Sequence, residues 1–403
     1  MLTPMAVSER SHPPTPASVE GAGVLLGMIH SGRARTVTQL ADAMGVARST
    51  ILQRLDHLQR LGLVRSEMRT EGARGRPAAV FGFDPRAGTV LAAHLGLTGV
   101  RVAVTDLDGE VLAARFRTVD VARGPDAVLD LLHGTFEELT AEAAAGPVVG
   151  VGVGTPSTFE LKAYARGHGL SAVGWDRDEF RDALAARYHV PVLLDLDVAM
   201  LALAEHRVSW PDAEVLVCVK LGTLIDASVV VRGVPVRGAD RLAGELGHIK
   251  VTDADDPCAC GSVGCLDAVA SGSALVRQMV AAGRPVDHVS QVVQLANDGD
   301  RDAVHLIRRS GRRIGEVLSS VVNLLNPAGI SMWGYLTEAE SLLAGIRESL
   351  YQTALPGSSE NLRLINTALG ELAGVRGAAL SVIDTVLEPR AVDRAVLAGS
   401  WSA

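Results

Sequence analysis

Apolar positions in the first fifth of the chain recur at helical spacing three times and then switch to strand-like runs. Residues 24–30, from Val24 to His30, predict a short apolar helix. Thr36 and Gln39 stand at capping-box spacing ahead of Leu40, Ala41 and Met44, which predicts a second. Gly45 supplies a turn. Ile51, Leu55 and Leu58 then form the buried stripe of a third helix, stopped by Gly62. Residues 63–64 and 80–83 read as the strands of a hairpin.

After Asp84 and Pro85 the pattern changes. Residues 90–94, 100–104 and 111–114 predict three successive strands, the last two joined by a turn at 106–109. A helix over 126–144 leads to an apolar strand at 148–153. Further strands are expected at 190–194, 215–221 and 227–231, with helices dominating beyond Ser271. Such a series predicts an α/β body with mixed sheets.

Length and composition narrow this further. A chain of 403 residues accommodates two or three domains, and 48% hydrophobic with 21% charged residues is ordinary globular composition. No apolar run is long enough to suggest a membrane span. Residues 1–20, with Pro4, Pro13, Pro14 and Pro16, read as a disordered tail without the apolar core of a signal peptide, so the cytoplasm is expected. The net charge of -8 is uneven: residues 31–86 hold ten Arg, no Lys and five acids, leaving about -13 on the remainder. A basic segment on an acidic body suits a local contact with a polyanion.

Within that segment the third helix leaves Arg48, Ser49, Thr50, Gln53 and Arg54 off its buried stripe near its start, and Thr38 joins them from the second helix. These residue types hydrogen-bond base edges and phosphates in a DNA major groove. The hairpin would carry Arg69, Arg74, Gly75 and Arg76 between its strands. Glycine permits close approach and Pro77 holds the chain extended, which suits an arginine entering a narrow minor groove. A wing touching phosphates only is the alternative. The segment thus reads as a winged helix-turn-helix at 21–84, with residues 85–403 as the body.

Cys258, Cys260 and Cys265 form C-x-C-x4-C, with His248 ten residues ahead. Three thiolates and one imidazole complete a closed tetrahedral shell, which predicts a structural Zn2+ held by the loop 248–265. Disulfides are the competing account, which a cytoplasmic chain disfavours. Cys218, alone in an apolar strand, reads as core.

The Gly244-Glu-Leu-Gly-His248 segment, followed by the cysteine loop, resembles the ROK family (repressors, open reading frames and sugar kinases), and the head resembles its repressor branch. The resemblance covers roughly residues 20–390. It implies a two-lobed actin-like ATPase fold of sugar-kinase type, a sugar cleft between the lobes, and a homodimer or homotetramer.

It also exposes departures. Where family kinases carry a D-x-G-G-T phosphate loop, this chain has His94-Leu-Gly-Leu-Thr98. The second loop, G-T-G-x-G-x-G in kinases, reads Gly222-Thr-Leu-Ile-Asp-Ala-Ser228, and a third glycine pair appears as Trp333-Gly334. These changes fall on nucleotide binding and argue against catalysis. On the sugar side Asp197 matches the kinases' base, Glu245 and His248 match a sugar-contacting pair, and Asp267 replaces a glutamate. Leu196 and Ala199 stand where the family has asparagines. The resulting expectation is a non-enzymatic repressor of carbohydrate-related genes. It would bind a pseudo-palindromic double-stranded operator and answer to a sugar-derived effector through Asp197, Glu245, His248 and Asp267. An effectorless regulator with a purely dimerising body, and a residual ATP-dependent sugar kinase, are the alternatives.

Overall fold

The computed structural model describes residues 19–68, 79–97, 99–156 and 175–400. Three helices open the chain: α1 (Ala22–His30), α2 (Val37–Met44) and α3 (Arg48–Arg60). They are followed by an antiparallel pair, β1 (Val64–Met68) and β2 (Ala79–Phe83). The capping box forms as its spacing requires. The Gln39 amide donates to Thr36 Oγ1, and the Thr36 amide donates back to Gln39 Oε1. Ile51, Leu55 and Leu58 are buried, as their stripe predicts. Val19, at the start of the described residues, is fully buried in the core it shares with α1.

The body contains two five-stranded sheets built on one plan. In the first, β3 (Thr89–Leu95), β4 (Gly99–Thr105) and β5 (Val111–Thr118) make an antiparallel meander. Two strands, β6 (Val148–Thr155) and β7 (Val192–Leu196), then run parallel to β3. The second sheet repeats this with β8 (Val215–Leu221), β9 (Ile225–Val231) and β10 (Val234–Pro235), followed by parallel β11 (Gly329–Trp333) and β12 (Arg363–Asn366). Parallel pairing needs crossovers, and helices supply them. These are α4 (Pro125–Glu142) and α5 (Arg177–Tyr188) in the first lobe.

The strand expected at 190–194 is displaced to Val192–Leu196. The preceding helix ends at His189 in the left-handed region, and Pro191, which has no N–H, uses its carbonyl to accept from the Val151 amide. The shift carries Asp195 onto the strand and delivers Asp197 to the first turn of α6 (Asp197–Ser209).

The second lobe is completed by α7 (Leu266–Ala270), α8 (Gly272–Ala281), α9 (Val289–Asn297), α10 (Arg301–Leu325), α11 (Glu340–Thr353) and α12 (Pro356–Ser359). The long apolar stripe of α10, with Ile307, Ile314 and Leu318, packs on α11. The chain then returns to the first lobe through α13 (Ala373–Val386) and α14 (Pro389–Ala398). Helices α6 and α13 pack against each other, and α6 touches strands of both sheets. Among the described residues no helix is long and apolar enough to cross a membrane.

No polar linker separates head from body. One cluster of buried side chains runs from Leu25, Leu55 and Phe81 through Val90 and Leu107 to Val382 and Val396. At its outer edge α14 lies on α1 so closely that a Cβ at Gly23 would stand 2.2 Å from the Pro389 carbonyl oxygen. Asp393 on α14 accepts from the Gly21 amide at 3.0 Å and the Gly23 amide at 2.8 Å. It thus caps a helix that has no cap of its own, since Gly21 at the N-cap has no side chain. On the other side, His30 Nε2 meets Asp108 Oδ1 at 2.7 Å, with its ring against Phe83.

Asp393→Ala is expected to cost about 1 kcal/mol, the usual worth of an N-cap. Hydrogen exchange should locate that loss in residues 21–30 while the β8–β11 amides keep their protection.

Candidate functional site

Three places carry chemistry. The first is the exposed start of α3. Ala47 at its N-cap offers no side-chain acceptor, and Arg48, Ser49 and Gln53 are exposed together with Thr38 of α2, while Thr50 is half-buried. Arg54 departs from expectation. It is only 9% exposed, and its guanidinium packs over Gly21, 3.1 Å from where a Cβ there would sit. At position 54 the side chain points back toward the buried stripe, so Arg54 supports the head and is turned away from the exposed face. The sequence pattern missed Leu52, which is 53% exposed between Ser49 and Gln53. A leucine outside the stripe of a helix was the available signal, and apolar contact with a thymine methyl is the chemistry it offers. Arg69, Arg74, Gly75 and Arg76 lie outside the described residues, as does Thr98 of the first loop.

The second place is the cysteine loop. His248 ends a short 3-10 turn, Leu246–His248, and the loop after it folds back through bridges pairing Lys250 with Cys265 and Pro257 with Val263. One ligand atom from each of His248, Cys258, Cys260 and Cys265 lies within 4.8 Å of the others. Cys258 Sγ is 3.6 Å from His248 Nδ1, and Cys260 Sγ is 3.7 Å from Cys265 Sγ. With metal–sulfur bonds of about 2.3 Å, the edge of a tetrahedron is roughly 3.8 Å, so the donors are already spaced to hold one ion. None of the four cysteines is in a disulfide. Burial pushes the Cys258 thiol up to about 12, so a bound cation is what would hold it as thiolate. The other ring nitrogen of His248, Nε2, faces Glu245 at 3.7 Å, an outer-shell partner that fixes the imidazole's orientation.

The third place is the floor of the cleft, where the ends of β3, β7, β8 and β11 converge. Asp197 is 1% exposed. It is bonded by Lys220 Nζ, by His94 Nε2 at 3.3 Å and by the Val198 amide at 2.6 Å. Burial alone would raise its carboxyl, but the Lys220 ammonium and then His94 outweigh that and hold it at about 2. The His94 ring in turn packs edge-on to Trp333 at 5.3 Å between centroids. His94 of the first loop segment, Lys220 of the strand leading into the second and Trp333 of the third thus meet in one cluster. Lys220 was missed in the sequence, although it is the one charged residue of an otherwise apolar strand.

Around this floor, Asp195 is held by Arg237 and by Arg241 Nη2 at 2.6 Å. Asp267 commits one oxygen to the Ile225 amide at 2.8 Å, which clamps the β8–β9 turn. Burial, opposed by that amide and reinforced by Asp226, lifts the Asp267 carboxyl to about 7. The structure thus brings Glu245 and His248 together, but places Asp197 under Lys220 and Asp267 behind the turn. Gly244, ahead of Glu245, has φ 104, and a Cβ on it would fall 2.0 Å from the Ala227 carbonyl oxygen. Gly244→Ala should therefore destabilise the fold by more than the roughly 1–3 kcal/mol of backbone strain alone, read as a lower urea midpoint. It should also reduce the metal content of the purified protein, because it displaces the turn carrying His248.

Comparison with known proteins agrees with this geometry. The ROK family model matches residues 90–385, and a helix-turn-helix domain model matches residues 23–67. The chain is 24% identical over 369 residues to a xylose repressor of Caldicellulosiruptor bescii, covering 87% of this chain and 92% of that one. It is 25% identical over 359 residues to the DNA-binding transcriptional dual regulator NagC of Escherichia coli K12, covering 85% and 87%. Among solved structures, a ROK family transcriptional regulator described as a homolog of the E. coli MLC protein superposes with a TM-score of 0.76 at 24% identity, covering 95% of this chain and all of that one. A ROK hexokinase from Thermus thermophilus matches at 0.58 and 29% identity, covering 73% of this chain and 98% of the hexokinase.

Proposed function

The chain belongs to the ROK family, and on that footing we infer that it is a sugar-responsive, DNA-binding transcriptional repressor. The observation that carries the reading is the exposed Arg48, Ser49 and Gln53 face at the start of α3, on a head fused to a two-lobed body. Residues 21–84 read DNA and residues 85–403 sense and assemble. Homodimers or homotetramers present pairs of heads to a pseudo-palindromic double-stranded operator in the cytoplasm.

The body has no kinase activity on this reading. A sugar kinase needs a free carboxylate to take a proton from the hydroxyl and an open cradle for phosphate. Here Asp197 is bonded to Lys220 and His94, and Asp226, on β9 just after the second loop segment, adds a negative charge that would repel a phosphate. His248, Cys258, Cys260 and Cys265 would hold a Zn2+ in a structural role, fixing the loop that follows Glu245. Glu245 and His248, with Asp197 and Asp267 behind them, line the effector side. A second reading, a regulator without an effector, is favoured by one observation, the burial of Asp197 beneath Lys220.

The test is selection of DNA sites by the purified protein, then titration of the selected site against D-xylose and N-acetylglucosamine at one fixed salt concentration. Sequence-specific binding that a sugar weakens or tightens several-fold is the expected result. Binding without sequence preference would overturn the reading, and specific binding indifferent to every sugar would leave the effectorless regulator.

Two outcomes follow for variants. Arg48→Ala and Gln53→Ala should each weaken specific binding by about 1–3 kcal/mol, whereas Arg54→Ala should lower thermal stability first. Elemental analysis should find one zinc per chain in the purified protein and little in Cys258→Ser, which should also melt earlier.

A further inference from the structure

Lys220 has two carboxylates to choose from, and they belong to different lobes. Asp197, at the end of the first sheet, is the one it touches. Asp226 stands directly opposite Lys220 in the β8–β9 pair of the second sheet. Side chains of such cross-strand partners share a face, with Cβ atoms about 5 Å apart, well within a lysine's length. Burial works against the ammonium, but Asp197 first and Asp226 second outweigh it and raise its pKa. Lys220 is therefore charged where it stands, and Asp226 offers a second carboxylate within its reach.

This arrangement answers an energetic objection to ligand binding at Asp197. Pulling a buried lysine off its carboxylate and leaving it unpaired is strongly destabilising, and no sugar hydroxyl compensates for that. With Asp226 across the hairpin, the ammonium leaves Asp197 without losing a counter-charge. His94 and Trp333 stay behind as the wall against which Asp197 is held.

We propose that Lys220 is a two-position latch at the cleft floor: it bridges the lobes on Asp197 when the cleft is empty and withdraws to Asp226 when a hydroxyl of a carbohydrate ligand takes Asp197. The ligand half of this inference rests on the carbohydrate-responsive reading; the latch itself does not. Lys220 is a positioning residue in this scheme, and the ligand it admits must offer a hydroxyl donor to a carboxylate. The lobe-to-lobe bond it releases supplies the difference between the two states that an effector needs in order to act.

The test uses the full-length zinc-loaded protein and the variants Lys220→Met, Asp226→Asn and Asp197→Asn/Lys220→Met. Without ligand or DNA, hydrogen exchange in residues 89–95 and 192–200 should speed up at least tenfold in Lys220→Met. It should stay unchanged in Asp226→Asn and recover in part in the double variant. Unchanged exchange in Lys220→Met, or equal loosening by Asp226→Asn, overturns the latch. With D-xylose and N-acetylglucosamine as probes, the two single variants should then respond in opposite directions. Lys220→Met, freed of the competitor, should bind the active sugar at least threefold more tightly, and Asp226→Asn, deprived of the resting place, at least threefold more weakly. A shift of the same sign in both overturns the latch while leaving the carbohydrate reading intact. Binding of neither sugar by any of the proteins overturns the ligand half together with that reading, and specific operator binding remains a separate measurement. If Lys220→Met does not fold, Lys220→Gln takes its place, and the sign of the Asp226→Asn response still decides.

Discussion

A carboxylate buried at the first turn of α6 has to be neutralised, and the way this chain does it organises the body. Asp197 sits where β7 ends and the helix begins, in a position almost closed to water. Left alone there it would take up a proton or destabilise the fold. The chain instead brings a cation from the opposite sheet and an imidazole from β3, two strands away in the same sheet. A lysine inside an apolar strand, a histidine in a phosphate loop and a tryptophan beside a glycine each look like an isolated defect in a kinase. Together they form one cluster in which the buried carboxylate is neutralised.

Glu245, Asp267 and the cysteine loop extend the same logic outward. Asp267 holds the Ile225 amide, so the turn that would embrace a phosphate is tied to the segment carrying the last metal ligand. His248 faces Cys258 with one nitrogen and Glu245 with the other. A change in the position of Glu245 is therefore felt at the metal shell, and a change at the β8–β9 turn is felt at Asp267. Static contacts thus run from the β8–β9 turn through Asp267 to the cysteine loop, and from His248 to Glu245.

Much of this was legible in the sequence because it depends on local pattern. The capping box at Thr36 and Gln39, the stripe of Ile51, Leu55 and Leu58, and the Cys258, Cys260, Cys265 spacing each carry their own geometry. Partnerships across sequence distance were not legible. That Arg54 turns inward was legible in part, since position 54 falls on the face of Ile51 and Leu58 at i+3 and i-4, but its partner Gly21 was not. That Lys220 meets Asp197 depends on how two sheets face each other across α6. The two-residue shift of β7 reflects Pro191, a signal present in the sequence and outweighed by the apolar run around it.

The contact between Asp393 and α1 joins residues 372 positions apart. On a ribosome adding about 5–20 residues per second, roughly 20–70 seconds separate the synthesis of the head from that of the helix that caps it. During that interval the DNA-reading surface exists without its outer support. A chain cut short before α14 would carry the exposed face of α3 on a head without the Asp393 cap. The outer support of the head is thus among the last parts of the chain to be made.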